Sequence, residues 1–341
     1  MMQQIQLLNR GQRIVIFILI FGGGIALIAA IALLLLTFTL NVQPRVMAQA
    51  VADGVTVREF AQLPDDDAYP AGVTVREDGM VYTASYDTGV IYEITPDGVV
   101  SELPQTREFI GSVTGLTFGD DGLLYVFDRI VENPRSSGGL IWRFLPGDTP
   151  QEWGFIEDET GFVSPEDVLA VPGDAVYVAD RGRREVWRFG ADGIGTLFWR
   201  VGSNEPDAEQ VRPTGLAYDR ANNALIVTDS GLNRLYRVPL GGTGDAEMIY
   251  EHTRTDATPD FTGVAVGADG AFYVAALGGG VVAIRPDAEV PFETLAINFR
   301  GARDVAYHDG RLYVTNFDSA SLVNPLIDPQ LPFALDVIEF E

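Results

Sequence analysis

One phrase returns six times along this chain, and a repeat of that kind limits the fold more than any other feature of the sequence. It consists of a short apolar run, an Asp-Gly type turn, and a second run rich in β-branched and aromatic residues. The first copy is Ala71-Gly72-Val73-Thr74-Val75, then Asp78-Gly79, then Val81-Tyr82-Thr83-Ala84-Ser85. Thr114-Gly115-Leu116, Asp121-Gly122 and Leu124 to Asp128 make the second. Glu166-Asp167-Val168, Gly173-Asp174 and Val176 to Asp180 make the third. The fourth is Thr214-Gly215-Leu216, Asn222-Asn223, Leu225 to Asp229; the fifth is Thr262-Gly263-Val264, Asp269-Gly270, Phe272 to Ala276. Arg303-Asp304-Val305, Asp309-Gly310 and Leu312 to Asn316 close the series.

The second residue of each opening falls at 72, 115, 167, 215, 263 and 304, a spacing of 41 to 52 residues. Each copy reads as two strands joined by a hairpin. In the first four copies a third strand follows with one wet face: Ile91 to Ile94, Ile141 to Phe144, Val186 to Phe189 and Leu235 to Val238. Six such sheets at that spacing predict an all-β, six-bladed β-propeller over residues 54–341. The sixth copy has only Leu335 to Phe340 left for its outer strands, whereas Val55 to Phe60 stands unassigned before the first. Pairing these two segments would close the ring and hide its open edge.

Ile14 to Leu40 carries no charged residue. As a helix it would span about 40 Å, more than a hydrocarbon core requires. Arg10 and Arg13 precede it and only Arg45 follows, which keeps the N-terminus cytoplasmic. The expected order is a cytoplasmic segment 1–13, one transmembrane helix 14–40, a tether 41–53 and an extracytoplasmic propeller. The competing reading is a cleaved signal peptide, since Ala48-Gln49-Ala50 has the small-x-small form of a cleavage site. An apolar core of about 7–15 residues is usual there, and this run is far longer. Either reading places the repeats outside the cytoplasm.

Composition removes several chemistries. Formal net charge is −25, which repels nucleic acid. All 23 cationic side chains are arginine and cysteine is absent, so there is no Schiff-base amine, thiol nucleophile, disulfide or cysteine–zinc site. His252 and His308 are the only imidazoles. What remains is carboxylates, hydroxyls, arginine or a hard cation, with calcium the candidate metal and no cofactor firmly implied.

From about residue 55 onward the repeats resemble the six-bladed propellers of the gluconolactonase, regucalcin (senescence marker protein) and luciferin-regenerating enzyme group. NHL-repeat and strictosidine-synthase-like propellers share the phrase. Arg212-Pro213-Thr214-Gly215-Leu216-Ala217 followed by Val227-Thr228-Asp229-Ser230 is the closest local match. The resemblance implies a divalent metal at one channel mouth, held in lactonases by a Glu, an Asn and an Asp, each opening a blade before a glycine. The corresponding positions here are Ala71, Thr214 and Thr262. Alanine cannot ligate, and a neutral hydroxyl is a poor substitute for a carboxylate on a hard cation.

The residues opening the inner strands should line that mouth: Ala71, Thr114, Glu166, Thr214, Thr262 and Arg303, followed by Gly72, Gly115, Asp167, Gly215, Gly263 and Asp304. The third and sixth copies replace glycine with a charge, and in a six-fold ring they face each other. Glu166, Asp167, Arg303 and Asp304, with Thr214 and Thr262, are therefore the candidate ligand-binding set. The plainer alternative is that these charges pair and seal the channel. A relocated calcium site would draw on Glu166, Asp180 and Asp229; otherwise the aspartates ending the second strands accept turn amides. No catalytic residue stands out, because Ser230 beside Asp229 has no histidine in the pattern. The expected function is a membrane-anchored module binding a small molecule or an exported protein at one mouth. A lactone or ester hydrolase with a rearranged metal site is the alternative.

Overall fold

In the computed structural model, described for residues 10–39, 45–129, 138–173, 175–203, 205, 207–241, 245–253, 259–324 and 326–341, six four-stranded antiparallel arrays form a propeller. Most of the expected cytoplasmic segment, the start of the tether and the turn residue Asp174 lie outside the described residues. Two strands come first, the short β1 (Gln49–Ala50) and the longer β2 (Val55–Gln62). Blade 1 holds β3 (Pro70–Val75), β4 (Val81–Ser85), β5 (Ile91–Ile94) and β6 (Val100–Glu102). Blade 2 holds β7 (Val113–Phe118), β8 (Leu124–Asp128), β9 (Leu140–Phe144) and β10 (Gln151–Gly154). Blade 3 is β11 (Pro165–Ala170), β12 (Val176–Asp180), β13 (Glu185–Phe189) and β14 (Gly195–Trp199); blade 4 is β15 (Pro213–Asp219), β16 (Ala224–Asp229), β17 (Arg234–Pro239) and β18 (Glu247–Glu251). Blade 5 comprises β19 (Phe261–Val266), β20 (Phe272–Ala276), β21 (Gly280–Ile284) and β22 (Phe292–Ile297). Blade 6 comprises β23 (Ala302–His308), β24 (Arg311–Asn316) and β25 (Ala334–Phe340), with β2 as its outermost strand.

That last pairing is the ring closure. β2 runs antiparallel to β25 from Val55↔Phe340 to Gln62↔Ala334. Both ends of the propeller thus meet in one sheet, and no open edge is left between blades 6 and 1.

The inner hairpins follow from their turn residues. In blade 1 the amide of Arg76 bonds Met80 O while Gly79 sits at φ 84°, and Asp78 Oδ1 accepts the Met80 amide. Left-handed backbone there is why Gly recurs in the phrase. Apolar side chains of neighbouring sheets interleave to form the core, as with Tyr177, Leu216, Leu225 and Tyr236 between blades 3 and 4.

Every inner strand breaks register with its partner where it opens at the channel. The breaks fall between Pro70 and Gly72, Val113 and Gly115, Pro165 and Asp167, Pro213 and Leu216, Phe261 and Val264, and Ala302 and Val305. A bulge of this kind bends the strand and re-aims a side chain. Two glycines there are dictated by the neighbouring blade. A Cβ on Gly215 would stand 2.2 Å from Thr262 O, and one on Gly263 would stand 2.6 Å from the Asp304 Cα.

The later part of the expected tether is docked on the propeller. β1 pairs with β22 and makes blade 5 five-stranded, while the amides of Val51 and Ala52 bond Leu295 O. Arg45 reaches both Glu59 on β2 and Asp336 on β25. The sequence hides this, because Gln49–Ala50 is too short to read as a strand.

The described residues of 1–44 and of 320–330 form a compact unit of their own. A helix, α1, occupies Arg10–Thr39 and exposes Val15, Ile18, Leu19 and the large apolar side chains between Phe21 and Leu33. Side chains at 10, 13, 14, 16, 17, 20 and 34–39 lie outside the described set. Among the described residues no helix is both long and apolar enough to cross a membrane.

Candidate functional site

The six bulges converge on the axis. The cavity there is lined by Ala71, Thr114, Glu166, Asp167, Thr214, Thr262, Gly263, Arg303 and Asp304. The candidate ligand-binding residues are thus brought together at one mouth. The free space among them is only about 10 Å³, the room of about one water.

A charge pair across the channel takes up most of that space. Arg303 Nη2 donates to Glu166 Oε2 at 2.9 Å, joining opposite blades, and both side chains are nearly buried. Ser164 Oγ donates to the other carboxylate oxygen at 3.3 Å. The Arg303 guanidinium lies over the Phe317 ring at 4.8 Å, and Phe317 meets Tyr86 edge to face. Phe317 is a mouth residue the repeat pattern does not mark, because it lies just beyond the second strand of its copy.

The two aspartates act as latches between blades. Asp167 accepts the Leu216 amide of blade 4 at 2.8 Å through Oδ2 and the Val168 amide through Oδ1. Asp304 repeats this half a turn away, accepting Val73 of blade 1 at 2.8 Å and its own neighbour Val305 at 2.9 Å. Burial pushes both carboxyls up, Asp304 to about 6, and the Asp304 charge raises Asp167 further. Their backbone donors and Arg303 pull the other way. Thr315 Oγ1 accepts the Asp304 amide and Thr228 Oγ1 accepts the Gly215 amide, satisfying donors the bulges release.

The hydroxyls are mostly committed as well. Thr214 donates to Arg212 O or Ser230 Oγ, each at 2.8 Å, and Thr262 lies 3.2 Å from Ala275 O. Thr114 Oγ1 is buried with no hydrogen-bond partner. A buried lone hydroxyl beside a one-water space suits an ordered water or a polar ligand atom.

Glu166, Asp180 and Asp229 do not converge. Among the described residues no group of three His, Asp or Glu side chains is placed to hold a metal ion. Asp180 accepts the amides of Val163, Ser164 and Arg183, and Asp229 Oδ1 accepts those of Arg212 and Gly231. These carboxylates tie the entry of an inner strand to the end of the second strand. The same job falls to Asp128, whose oxygens take the Gly111 and Ser112 amides. Ala71, Thr214 and Thr262 bring no carboxylate to the mouth, and the carboxylates that stand there, Glu166, Asp167 and Asp304, are engaged by Arg303 and by backbone amides.

These features define a six-bladed β-propeller with a bulge-lined, ion-paired channel mouth. No protein-family model matches the sequence, and no curated protein matches it either. Solved structures do resemble it. A gluconolactonase from Xanthomonas campestris is 16% identical, with a TM-score of 0.58 over 88% of this chain and 99% of that one. The PQQ-bound aldose sugar dehydrogenase of Streptomyces coelicolor is 16% identical, with a TM-score of 0.59 over 86% and 100%. A catalytically inactive virginiamycin B lyase from Staphylococcus aureus, solved with quinupristin, is 14% identical, with a TM-score of 0.58 over 84% and 100%. Hydrolase, dehydrogenase and lyase on one architecture establish the fold and leave the activity to the site.

Proposed function

We propose that this chain is a membrane-anchored, extracytoplasmic propeller that binds a small molecule or an exported protein at its channel mouth. The observation that carries this reading is the Arg303–Glu166 bridge, which leaves about 10 Å³ where a substrate would need to enter. A ligand with an anionic group can engage Arg303 by displacing Glu166, and a planar carboxylate suits the guanidinium fork. Thr114 offers a free hydroxyl beside it. The uncharged run 14–40 and the exposed apolar side chains of α1 support the anchor.

Lactone hydrolysis is the second reading, favoured by the likeness to the Xanthomonas gluconolactonase. It would need a cation that the residues at the mouth are ill suited to hold. The two readings separate with the full chain in lipid nanodiscs. Metal content and hydrolysis of sugar lactones would be measured with and without calcium or zinc, beside calorimetric titration with sugar acids and acidic peptides. The binding reading expects no metal-stimulated turnover, and an anion affinity that Arg303→Ala abolishes while circular dichroism is unchanged. Turnover that rises with metal and disappears in Asp304→Asn would overturn it.

A further inference from the structure

The face opposite the mouth offers far more room than the mouth itself. A cleft there has about 710 Å³ of free space, against about 10 Å³ at the axis. That falls within the range of small-molecule sites, about 300–1,000 Å³. Inner strands begin at the mouth and end at this cleft: Arg220 lies six residues beyond Thr214, past the end of β15, up to about 20 Å away. One wall comes from blade 4, with Tyr218, Asp219, Arg220 and Arg237, and the other from blade 6, with Tyr307. The floor between them is the blade 5 turn 266–270, where no lining side chain is larger than valine. The small turn is what leaves the two walls apart.

The blade 4 wall carries positive charge that the chain itself does not neutralise well. Acidic side chains outnumber arginines 48 to 23, so carboxylate partners are plentiful elsewhere. Yet Arg220 is exposed and makes neither an ion pair nor a hydrogen bond among the described residues. Arg237 is held loosely, with Nε 3.5 Å from Asp219 Oδ2 and Nη1 3.6 Å from Glu247 Oε2. Both separations exceed the usual N–H···O range of about 2.7–3.2 Å, and Nε makes no hydrogen bond at all. Asp219 does not close the gap because it accepts the Asn222 amide at 3.2 Å and the Asn222 side chain at 2.7 Å.

A carboxylate entering the cleft therefore meets one guanidinium without a counter-charge and a second whose pairs are stretched. The planar fork of arginine accepts such a group through parallel hydrogen bonds. Asp219 and Asp287 also line the cleft, so its charge is balanced and a polyanion would be repelled. Flat apolar area stands on both walls. Tyr307 is braced by stacking on Tyr273 at 5.7 Å, and the Tyr218 hydroxyl donates to Asn223 at 3.1 Å.

We propose that this cleft is a second ligand site, which takes a small aromatic monocarboxylate. The carboxylate engages Arg220 and Arg237, and the ring lies over the blade 5 turn between the two tyrosines. The site shares no residue with the mouth, so it stands or falls apart from the function proposed above.

Calorimetric titration of the full chain in detergent tests it, with indole-3-acetate as the probe and indole-3-acetamide as the neutral counterpart. The variants are Arg220→Gln, Arg237→Gln, Ala268→Trp and, at the mouth, Arg303→Ala. Ala268 is exposed in the turn, so a tryptophan there fills the cleft without entering the core. Wild type and Arg303→Ala should bind the acid equally, at least tenfold tighter than the amide. Each of the two glutamine variants should weaken it about tenfold, and Ala268→Trp should abolish it. Arg220 and Ala268 are both exposed, so those two variants decide the matter if Arg237→Gln fails to fold. Binding that is lost in Arg303→Ala and kept in Ala268→Trp would move the anion to the mouth and overturn this inference alone. Equal binding of acid and amide, or no binding by wild type at millimolar probe, overturns it as well.

Discussion

Replacing Arg303 with Met tests the central claim that the channel is closed by a bridge between opposite blades. Arg303 and Glu166 are 13% and 10% exposed as side chains, so the pair is mostly shielded from water. At a short separation and an effective dielectric near 20, the attraction is about 4 kcal/mol, against which desolvation of both ions must be set. Truncating one partner leaves the other charge buried, which costs about 3–5 kcal/mol in fully buried pairs. Ser164 still serves Glu166, so the lower end applies, about 3 kcal/mol. For a domain of this size that lowers Tm by about 6 °C. Glu166→Gln should cost less, because Arg303 keeps the Phe317 face. The double replacement Arg303→Met with Glu166→Gln removes both ions, and should recover part of the loss, a coupling of about 2 kcal/mol. Thermal unfolding of the full chain in detergent, followed by near-ultraviolet circular dichroism, reads all three. Additivity of the two single changes within about 0.5 kcal/mol would refute the bridge as a structural element.

Arg45→Met leaves Asp336, which is 1% exposed, with Asn316 but no counter-charge, and should destabilise the propeller by about 3 kcal/mol and open β1 to limited proteolysis. Asp304 has its carboxyl raised to about 6 from an unfolded value near 3.8, so ionising it opposes folding. Its contribution is most favourable below about pH 4 and is lost as pH climbs to about 6, an upper bound of about 3 kcal/mol. Asp304→Asn should flatten that part of the Tm–pH curve; an unchanged slope between pH 4 and 7 would assign it elsewhere. Intact-mass spectrometry of the exported chain should find residues 14–40 retained, whereas a mature N-terminus at Val51 would mean that Arg45 and β1 are lost on export.

The blade count, the hairpins and the ring closure were legible because each rests on local chemistry repeated six times: turn glycines, alternating strands and an unassigned segment at each end. The lining of the mouth was legible for the same reason, since the bulge falls at one position in every copy. Contacts between distant segments were not. Nothing in the spacing marks Phe317 as a platform for Arg303, or assigns Arg45 to Asp336, because those partners are set by tertiary packing. The role of Asp167 and Asp304 was legible only in part. Their charge and opposition were visible, but not that each spends its oxygens on backbone amides, one of them in the next blade.

Taken together, the lining follows a two-fold pattern rather than a six-fold one. Blades 1, 2 and 3 open with Gly, Gly and Asp at the second position, and blades 4, 5 and 6 do the same. Where glycine stands, the next blade's backbone approaches too closely for a side chain, as at Gly215 and Gly263. Where aspartate stands, its carboxylate instead reaches across to an amide of the next blade. Two seams are therefore bridged by carboxylates, and they lie half a turn apart. The preceding position breaks this symmetry, with Ala71 against Thr214 and, in charge, Glu166 against Arg303, and these last two residues meet across the axis. Two like charges at those positions would repel across a nearly dry gap, whereas opposite charges join the halves. A cation at the mouth is thus not required to hold this ring together, because Arg303 already supplies positive charge beside Glu166, Asp167 and Asp304.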